Sequence, residues 1–268
     1  MTESQARVKK IKIYLSDPQV LFREGIHFIL SGEEDFEVTG ESTNNEDAYA
    51  HIETNPPNIA VLNVRDEKLD GLEITRRIKR KFPTIATILT VDKKAAEEIL
   101  EIMKSGVSAC LLKDTEPEQL IETIRIVAQG GLPITEELLN PELAHRVLAD
   151  FEDTDALNKH MDNLMASLTQ KEAQIIGVIA TGSNAEQTAA KLGIDEDAVL
   201  YNLRLILNKL VANDRIRAII ETVQQGIPSI LSAASRTKLS EDYLTREEFN
   251  QFKENLAKRL KNIVGEVV

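Results

Sequence analysis

Several short apolar segments of this chain end in a polar residue that could contact a ligand. The segment 58–64 is apolar and β-branched and carries Asn63 at its end, while an earlier segment ends at Asp17. Two later segments end at Thr90 and Lys113. Runs of this kind predict buried strands of a parallel sheet. Because ligands collect at the carboxyl ends of such strands, the sequence predicts a site at this edge, with an uncharged polar residue on the strand 58–64.

The sequence lacks the residue patterns that are typical of enzymes. It contains no Gly-rich phosphate loop, no metal-ligand cluster and no nucleophile–base set. The four histidines are scattered without metal-ligand spacing. The single Cys110 lies in an apolar run and is interpreted as a buried core thiol. We therefore expect no catalytic activity, no metal and no cofactor.

Composition limits the classes of partner. The 268 residues carry a formal net charge of −12 and are 42% hydrophobic, which suits two domains with real cores. Such a chain is not a general polyanion binder, so any nucleic-acid contact must come from a local basic face. No stretch approaches the ~20 apolar residues of a membrane span, and the N-terminus lacks a signal-peptide core. We expect a cytoplasmic protein without a membrane segment.

The first half of the chain alternates between two hydrophobic periods. Strand patterns cover residues 10–15, 36–41, 58–64, 85–91 and 109–112. Helical patterns follow them over residues 20–30, 45–54, 71–82, 95–104 and 117–129. This alternation predicts an α/β fold, a five-stranded doubly wound parallel sheet with helices on both faces.

The second half is predicted to be helical. After a linker that contains a helix over 141–151, four short helices are predicted between residues 168 and 225. Their expected N-caps are Thr169, Asn184 and Asp195, with the third helix ending at Leu210 and Asn213 preceding the fourth. A helix, a tight glycine turn and a second helix are typical of a helix-turn-helix domain.

A helical tail completes the expected fold. It carries an apolar stripe at helical spacing, made of Phe249, Phe252, Leu256, Leu260 and Ile263. Two roles for this stripe stay open, packing against the same chain or forming a seam between two copies.

Both halves resemble a known family. Residues 17–26 and 71–73, together with Thr90 and residues 111–114, resemble the receiver domain of a bacterial response regulator. Residues 168–172, 189–194 and 206–210 resemble the LuxR-type helix-turn-helix, so that residues 8–225 resemble the NarL/FixJ class. This resemblance implies a receiver-like domain, a linker with a helix, a LuxR-type domain and a helical C-terminal extension outside the family pattern, over residues 8–131, 132–166, 167–225 and 226–268.

The resemblance implies roles for the residues at the strand ends. In this family two adjacent acids and a phospho-accepting Asp bind Mg²⁺, and a Thr and a Lys contact the phosphoryl group. Carried over, these positions hold Asp17, Pro18, Asn63, Thr90 and Lys113. Asn63 has no nucleophilic carboxylate and Pro18 has no side-chain ligand. The site is then either a scaffold, in which Lys113 bonds to Asp17 or Asn63, or a pocket for another signal.

The resemblance also implies a recognition helix that begins after Asp195. Its groove-facing positions would hold Leu200, Tyr201, Asn202 and Leu205. Asn202 is the expected adenine reader and Arg204 the expected guanine reader, and the expected DNA-contacting set is completed by Tyr201, Lys191 and Lys209. Because residues 168–225 carry a net charge of −1, we expect weak non-specific DNA binding.

Two functional hypotheses follow. The first is a homodimeric transcriptional regulator of the response-regulator type that acts independently of aspartyl phosphorylation. The second is a protein-interaction module, an antagonist or scaffold, in which Leu200 and Leu205 face a protein partner instead of DNA.

Overall fold

The computed structural model describes residues 10–158 and 164–234, with side chains described as far as residue 220. The chain divides into two compact units. Among the described residues, one unit comprises residues 10–150 and 168–211, and the other comprises residues 151–158, 164–167 and 212–234.

A five-stranded parallel sheet forms the first half of the chain. Its strands are β1 (Ile11–Ser16), β2 (Phe36–Ser42), β3 (Ile59–Asn63), β4 (Ala86–Val91) and β5 (Ala109–Leu112). The strands lie in the order β2-β1-β3-β4-β5 and every neighbouring pair is parallel. The intervening helices are α1 (Val20–Ser31), α2 (Asn45–Thr54), α3 (Gly71–Lys81), α4 (Ala96–Lys104) and α5 (Pro117–Ala128). The predicted fold class is confirmed.

Strand β3 lies at the centre of the sheet and is completely buried. Every residue of this strand is buried, as expected for a parallel strand covered by helices on both faces. Strand order reverses beside β1, which lies between β2 and β3. In open α/β sheets the crevice for ligands opens at such a point, outside the carboxyl ends of the strands. A ligand site is therefore expected at the carboxyl ends of β1 and β3.

Gly71 allows α3 to begin close to the end of β3. A Cβ atom at this position would lie 2.6 Å from Val64 Cα and 2.7 Å from the Asn63 carbonyl oxygen. Both neighbouring atoms belong to the backbone and have little freedom to move. Only glycine therefore lets the first turn of α3 pack against the strand end.

The linker is more helical than expected. A 3-10 helix over Pro133–Leu139 leads into α6 (Pro141–Asn158), which runs well past the predicted end at residue 151. Leu143, Ala144 and Val147 are almost completely buried. Lys104, at the end of α4, forms an ion pair with Asp150 of α6 at 2.7 Å. The Lys104–Asp150 pair thus joins the first part of α6 to α4.

The predicted helix-turn-helix domain, residues 167–225, begins with two capped helices, α7 (Gln170–Ala180) and α8 (Ala185–Leu192). Thr169 and Asn184 each form a capping box, the arrangement predicted for Thr169. The residue after α8, Gly193, has a φ of +66°, a conformation that glycine adopts at little cost. The predicted starts of α7 and α8 and the glycine stop are confirmed.

The third and fourth predicted helices are one continuous helix, α9 (Glu196–Ala234). The prediction of an end at Leu210 was wrong because it treated Asn213 as a start signal. The Asn213 side chain is buried and forms two hydrogen bonds, accepting from the Ala166 N–H at 2.8 Å and donating to the Ala166 carbonyl at 2.9 Å. Its polar group is satisfied by a distant segment, so it does not interrupt the helix.

The apolar stripe predicted at residues 249–263 lies outside the described residues. Within the described ranges, no helix combines the length and apolar character needed to cross a membrane.

Candidate functional site

Asp17 directly follows β1 and is buried at the carboxyl edge of the sheet. Its Oδ1 accepts a hydrogen bond from the Gln19 N–H at 2.8 Å, and its Oδ2 lies 2.7 Å from Lys113 Nζ. Its carbonyl oxygen accepts a further bond from Arg23 at 2.8 Å. Oδ1 is therefore hydrogen-bonded, whereas Oδ2 is ion-paired with Lys113 without the geometry of a hydrogen bond.

Asn63 ends β3 and is 5% exposed. Its side-chain amide donates a hydrogen bond to the carbonyl of Arg65, two residues along the following loop. That contact holds the amide against its own backbone. An ionised aspartate has no hydrogen to donate and could not form the same bond.

Thr90 and Lys113 complete the group of polar residues at the strand ends. The Thr90 hydroxyl donates to the Leu62 carbonyl at 3.3 Å, across the β3–β4 pair. The Lys113 side chain is mostly buried, pairs with Asp17 and lies 5.0 Å from the centre of the Phe22 ring. The expectation that Lys113 bonds to Asp17 or Asn63 is confirmed for Asp17.

A second polar network beside this group was missed by the sequence analysis. Asn45, at the start of α2, is fully buried. Its amide donates to the carbonyls of Asn63 and Leu69, both at 2.9 Å, and its oxygen accepts from the Ser16 hydroxyl at 2.9 Å. These contacts fix the loop after β3 to the end of β1. The partners are 18 to 29 residues away from Asn45 in sequence, so no local pattern could have revealed them.

Asp66 holds the same loop from its exposed side. Its carboxylate accepts hydrogen bonds from the backbone N–H groups of Asn45, Lys68 and Leu69, at 2.9 to 3.1 Å. The Asp66 carboxylate is therefore used to hold the backbone of this loop and is not assigned as a metal ligand.

In the second domain, the first turns of α9 present a mixed outer face. Tyr201 is 63% exposed and Leu200 is 38% exposed. Arg204 is also exposed and donates a long hydrogen bond of 3.3 Å to the Gly130 carbonyl. Asn208, which is exposed and lies one turn beyond Arg204, was not among the predicted residues. The four-residue spacing from Arg204 would have identified it.

Two family models match the chain, one over each half. Residues 13–125 match the response regulator receiver domain, and residues 166–222 match the bacterial regulatory proteins of the luxR family. The chain is a transcriptional regulator of the response-regulator type. Its second domain is of the LuxR type, which implies DNA binding.

Curated regulatory proteins align with most of this chain, and a solved structure aligns with less than half of it. The transcriptional regulatory protein DegU of Brevibacillus brevis is 27% identical over 233 residues, which cover 83% of this chain and 97% of that protein. A nitrate/nitrite response regulator protein homolog of Haemophilus influenzae is 27% identical over 217 residues, covering 81% and 98%. A solved LuxR-family response regulator from Staphylococcus aureus is 26% identical, covers 44% of this chain and 98% of that one, and has a TM-score of 0.42.

In a response regulator the polar edge of the receiver would be expected to bind Mg²⁺, which prefers several oxygen ligands, carboxylates among them. Here Asp17 supplies the one carboxylate of the expected pair, and both of its oxygens are engaged. Pro18 supplies no side-chain ligand. The residues present at this edge therefore do not fit a Mg²⁺ site.

The structure corrects the expectation that Asn202 of the LuxR-type domain reads a base. Asn202 is only 7% exposed, and its amide donates to the Ala198 carbonyl at 2.6 Å, one turn back along α9. Its side chain lies against its own helix and does not face outward. Leu205 is also partly covered, so Leu200 is the more exposed of the two leucines.

The basic residues Lys191 and Lys209 have bonds inside the LuxR-type domain. Lys191 donates to the Ser183 hydroxyl at 2.8 Å. Lys209 lies 2.6 Å from Glu172, a carboxylate that is 2% exposed. Burial alone would raise the pKa of Glu172, but the hydrogen bonds from Lys209 and Thr169 outweigh it and leave the pKa lowered. Lys209 thus helps to hold the start of α7.

Proposed function

We propose that this response regulator acts independently of aspartyl phosphorylation and binds DNA through the exposed face of α9. Asn63 is the observation that carries the first part of the proposal. An amide offers no carboxylate oxygen for an acyl phosphate, and Lys113 is bonded to Asp17. In this arrangement the polar edge of the sheet serves as a scaffold that supports the loop after β3.

An intact-mass measurement tests phosphorylation independence. The full chain is incubated with acetyl phosphate and Mg²⁺, and we expect no added phosphoryl group. A typical receiver that retains its acceptor aspartate, treated in parallel, shows that the donor is active. One added phosphoryl group that maps to residues 58–70 would overturn this part of the proposal.

Arg204 is the residue that we propose for the main basic contact with DNA. It is exposed on the outer face of α9, with Tyr201 and Asn208 beside it, and a contact with DNA would replace the long bond that it donates to the Gly130 carbonyl. The Lys191 and Lys209 ammonium groups have bonds within the domain. Fewer of the domain's positive charges are therefore available to contact DNA phosphates. We therefore infer weak non-specific binding at physiological salt and a shallow dependence of affinity on salt.

A DNA retardation assay over a salt series tests the Arg204 proposal. Arg204→Ala should weaken specific binding by about 1–3 kcal/mol if the guanidinium contacts a base, or flatten the salt slope by about one if it contacts a phosphate. Arg80→Ala, a change at an exposed arginine on α3, is the matched control and should bind like the unmodified chain. Equal affinity of the Arg204 and Arg80 variants at every salt concentration would contradict the role given to Arg204.

A protein-binding role for the same helix is the second candidate. The exposed Leu200 and Tyr201 favour it, because an apolar residue and an aromatic residue suit a protein interface. Leu200→Asp should then abolish capture of the protein partner and leave the fold intact. DNA retardation that is lost with Arg204→Ala and retained with Leu200→Asp would favour the DNA role.

We also propose that the chain self-associates through an α1 patch, defined as Val20, Leu21 and Phe28. These side chains are 54%, 89% and 82% exposed. Among the described residues of the sheet domain, the exposed large hydrophobic side chains lie on α1 and α5, where Ile126 is 41% exposed. A second copy that covers this patch would remove it from water, and two copies would present two α9 helices to two DNA half-sites.

A further inference from the structure

A cavity of about 210 Å³ opens between α1 and the β5–α5 side of the sheet domain. Its walls are apolar and include Phe22, Ile26, Ile29, Leu111 and Leu120. Ile26, Leu111 and Leu120 are buried residues of the hydrophobic core. The cavity therefore reaches from the surface of α1 to the core.

One end of this cavity is polar. Lys113 and Thr115 are part of its lining. Lys113 Nζ lies 2.7 Å from Asp17 Oδ2, but an ammonium group has three N–H donors. Lys113 can therefore donate to a second anionic group while its ion pair with Asp17 is retained. The cavity therefore has an apolar body and one polar end, formed by Thr90, Thr115 and the ion-paired Lys113.

The volume of the cavity, about 210 Å³, limits the size of the ligand that it can hold. A cavity of about 150 Å³ can hold benzene, whereas pockets for drug-sized ligands span roughly 300–1,000 Å³. A space between these sizes suits a ligand of roughly ten non-hydrogen atoms. We propose that this cavity binds a small amphiphilic acid, a carboxylate with an apolar chain, whose carboxylate pairs with Lys113.

Gly25 keeps the cavity open on the α1 side. A Cβ atom built at this position has no other atom within 4 Å, so the position faces open space. Side chains on a helix lean toward the preceding turn, which here carries Leu21 and Phe22 of the cavity lining. A phenylalanine at position 25 should therefore cover the cavity entrance.

Calorimetric titration of the full chain with sodium octanoate tests the ligand class. Octan-1-ol has the same chain without the charge, and octylamine has the opposite charge. We expect octanoate to bind at one site, about tenfold or more tighter than octan-1-ol, since the bond to Lys113 is charge-assisted. We expect octylamine to bind more weakly than either. Equal binding of all three would overturn the assignment of an acid, and the absence of octanoate binding would overturn the site itself.

Gly25→Phe tests the location. It should weaken octanoate binding by about tenfold or more, while the thermal unfolding midpoint is unchanged or raised because glycine is a poor helix former. Gly177→Phe is the matched control, since a Cβ at Gly177 of α7 also has no other atom within 4 Å. Equal octanoate affinity of the Gly25 and Gly177 variants, both folded, would overturn the location. None of these measurements depends on DNA binding by α9. Because Leu21 belongs both to the cavity lining and to the α1 patch, each is made at a concentration at which light scattering reports a single chain.

Discussion

Asn63 differs from aspartate by a single chemical group, yet the change alters the edge of the sheet in two ways. The amide removes a negative charge beside the buried Asp17, and it adds a donor that bonds to the Arg65 carbonyl. Two ionised carboxylates in one buried site would repel one another. Without that repulsion, a single ion pair between Asp17 and Lys113 is sufficient to balance the charge there.

Restoring the aspartate alone should not restore a metal site. We expect Asn63→Asp to bind Mg²⁺ no tighter than millimolar in calorimetry, because Asp17 stays engaged and Pro18 adds no ligand. The double variant Pro18→Asp/Asn63→Asp supplies two further carboxylates and is expected to bind Mg²⁺ more tightly. A micromolar site in the single variant would contradict this account of Asp17.

Cys110 offers a prediction about chemical reactivity. Burial raises the pKa of its thiol to about 12, so at pH 8 the thiolate fraction is on the order of one in ten thousand. We expect the native chain to react with a disulfide reagent such as dithionitrobenzoate far more slowly than the chain in urea. Fast modification of the native chain would show that β5 opens readily.

At the scale of single elements, Glu172 joins the start of α7 to α9. It accepts from the Thr169 N–H at 2.7 Å and from Lys209 Nζ at 2.6 Å. Glu172→Gln keeps the reach of the side chain but loses the charge, so we expect a loss of about 1.5–3 kcal/mol in the free energy of unfolding at pH 7. Urea titration measures it, and Glu186→Gln, at an exposed position in the first turn of α8, is the control.

Because the pKa of Glu172 is shifted by folding, the difference in the free energy of unfolding between the unmodified chain and Glu172→Gln depends on pH. Because the pKa in the folded chain is lowered, the charged carboxylate stabilises the fold fully above the unfolded value of 4.5. That stabilisation is lost as the pH falls through the folded pKa. The gap between the unmodified chain and Glu172→Gln should therefore narrow in acid, and a gap that widened would contradict the assignment.

The continuity of α9 is testable by hydrogen exchange. In one unbroken helix the N–H groups around Val211–Arg215 bond to carbonyls four residues earlier. Two separate helices would leave the first four N–H groups of the second without helical partners. We expect amide protection in this segment to match that of residues 206–210. Rapid exchange confined to residues 211–215 would restore the two-helix prediction.

Local periodicity predicted most of these elements because each strand or helix buries one face of its own sequence. The five strands and the helices α1 to α5, α7 and α8 lie where the apolar spacing placed them, within a few residues. The break predicted after Leu210 is absent because the bonds of Asn213 go to Ala166, 47 residues away. A capping signal and a buried polar contact look the same in sequence.

The candidate site was predictable only in part for a similar reason. The positions of Asp17, Asn63 and Lys113 follow from strand ends, and these can be located by pattern. Asn202 lies three residues after the buried Val199 and four before the buried Ile206, so the apolar spacing of α9 places it on the buried face. The assignment from the family resemblance did not take this spacing into account.

For the whole molecule, self-association through the α1 patch is the prediction that light scattering can check. We expect the average mass to rise with concentration toward that of two chains. Phe28→Asp should keep the chain monomeric at concentrations where the unmodified protein associates, because it places a charge in the seam. Leu157→Asp, a matched change at a 46% exposed leucine on α6, should associate normally. A mass that matched one chain at every concentration would exclude this seam.

The amide at position 63 also has a consequence in time. A phosphorylated aspartate outlasts the event that created it and decays at the rate of its own hydrolysis, which gives a regulator a covalent memory. Asn63 stores no such record. Under the proposed phosphorylation-independent function, a state that this chain adopts in response to a bound molecule would persist only for the residence time of that molecule, which for non-covalent complexes ranges from milliseconds to days. Its output would therefore follow present concentrations rather than past events.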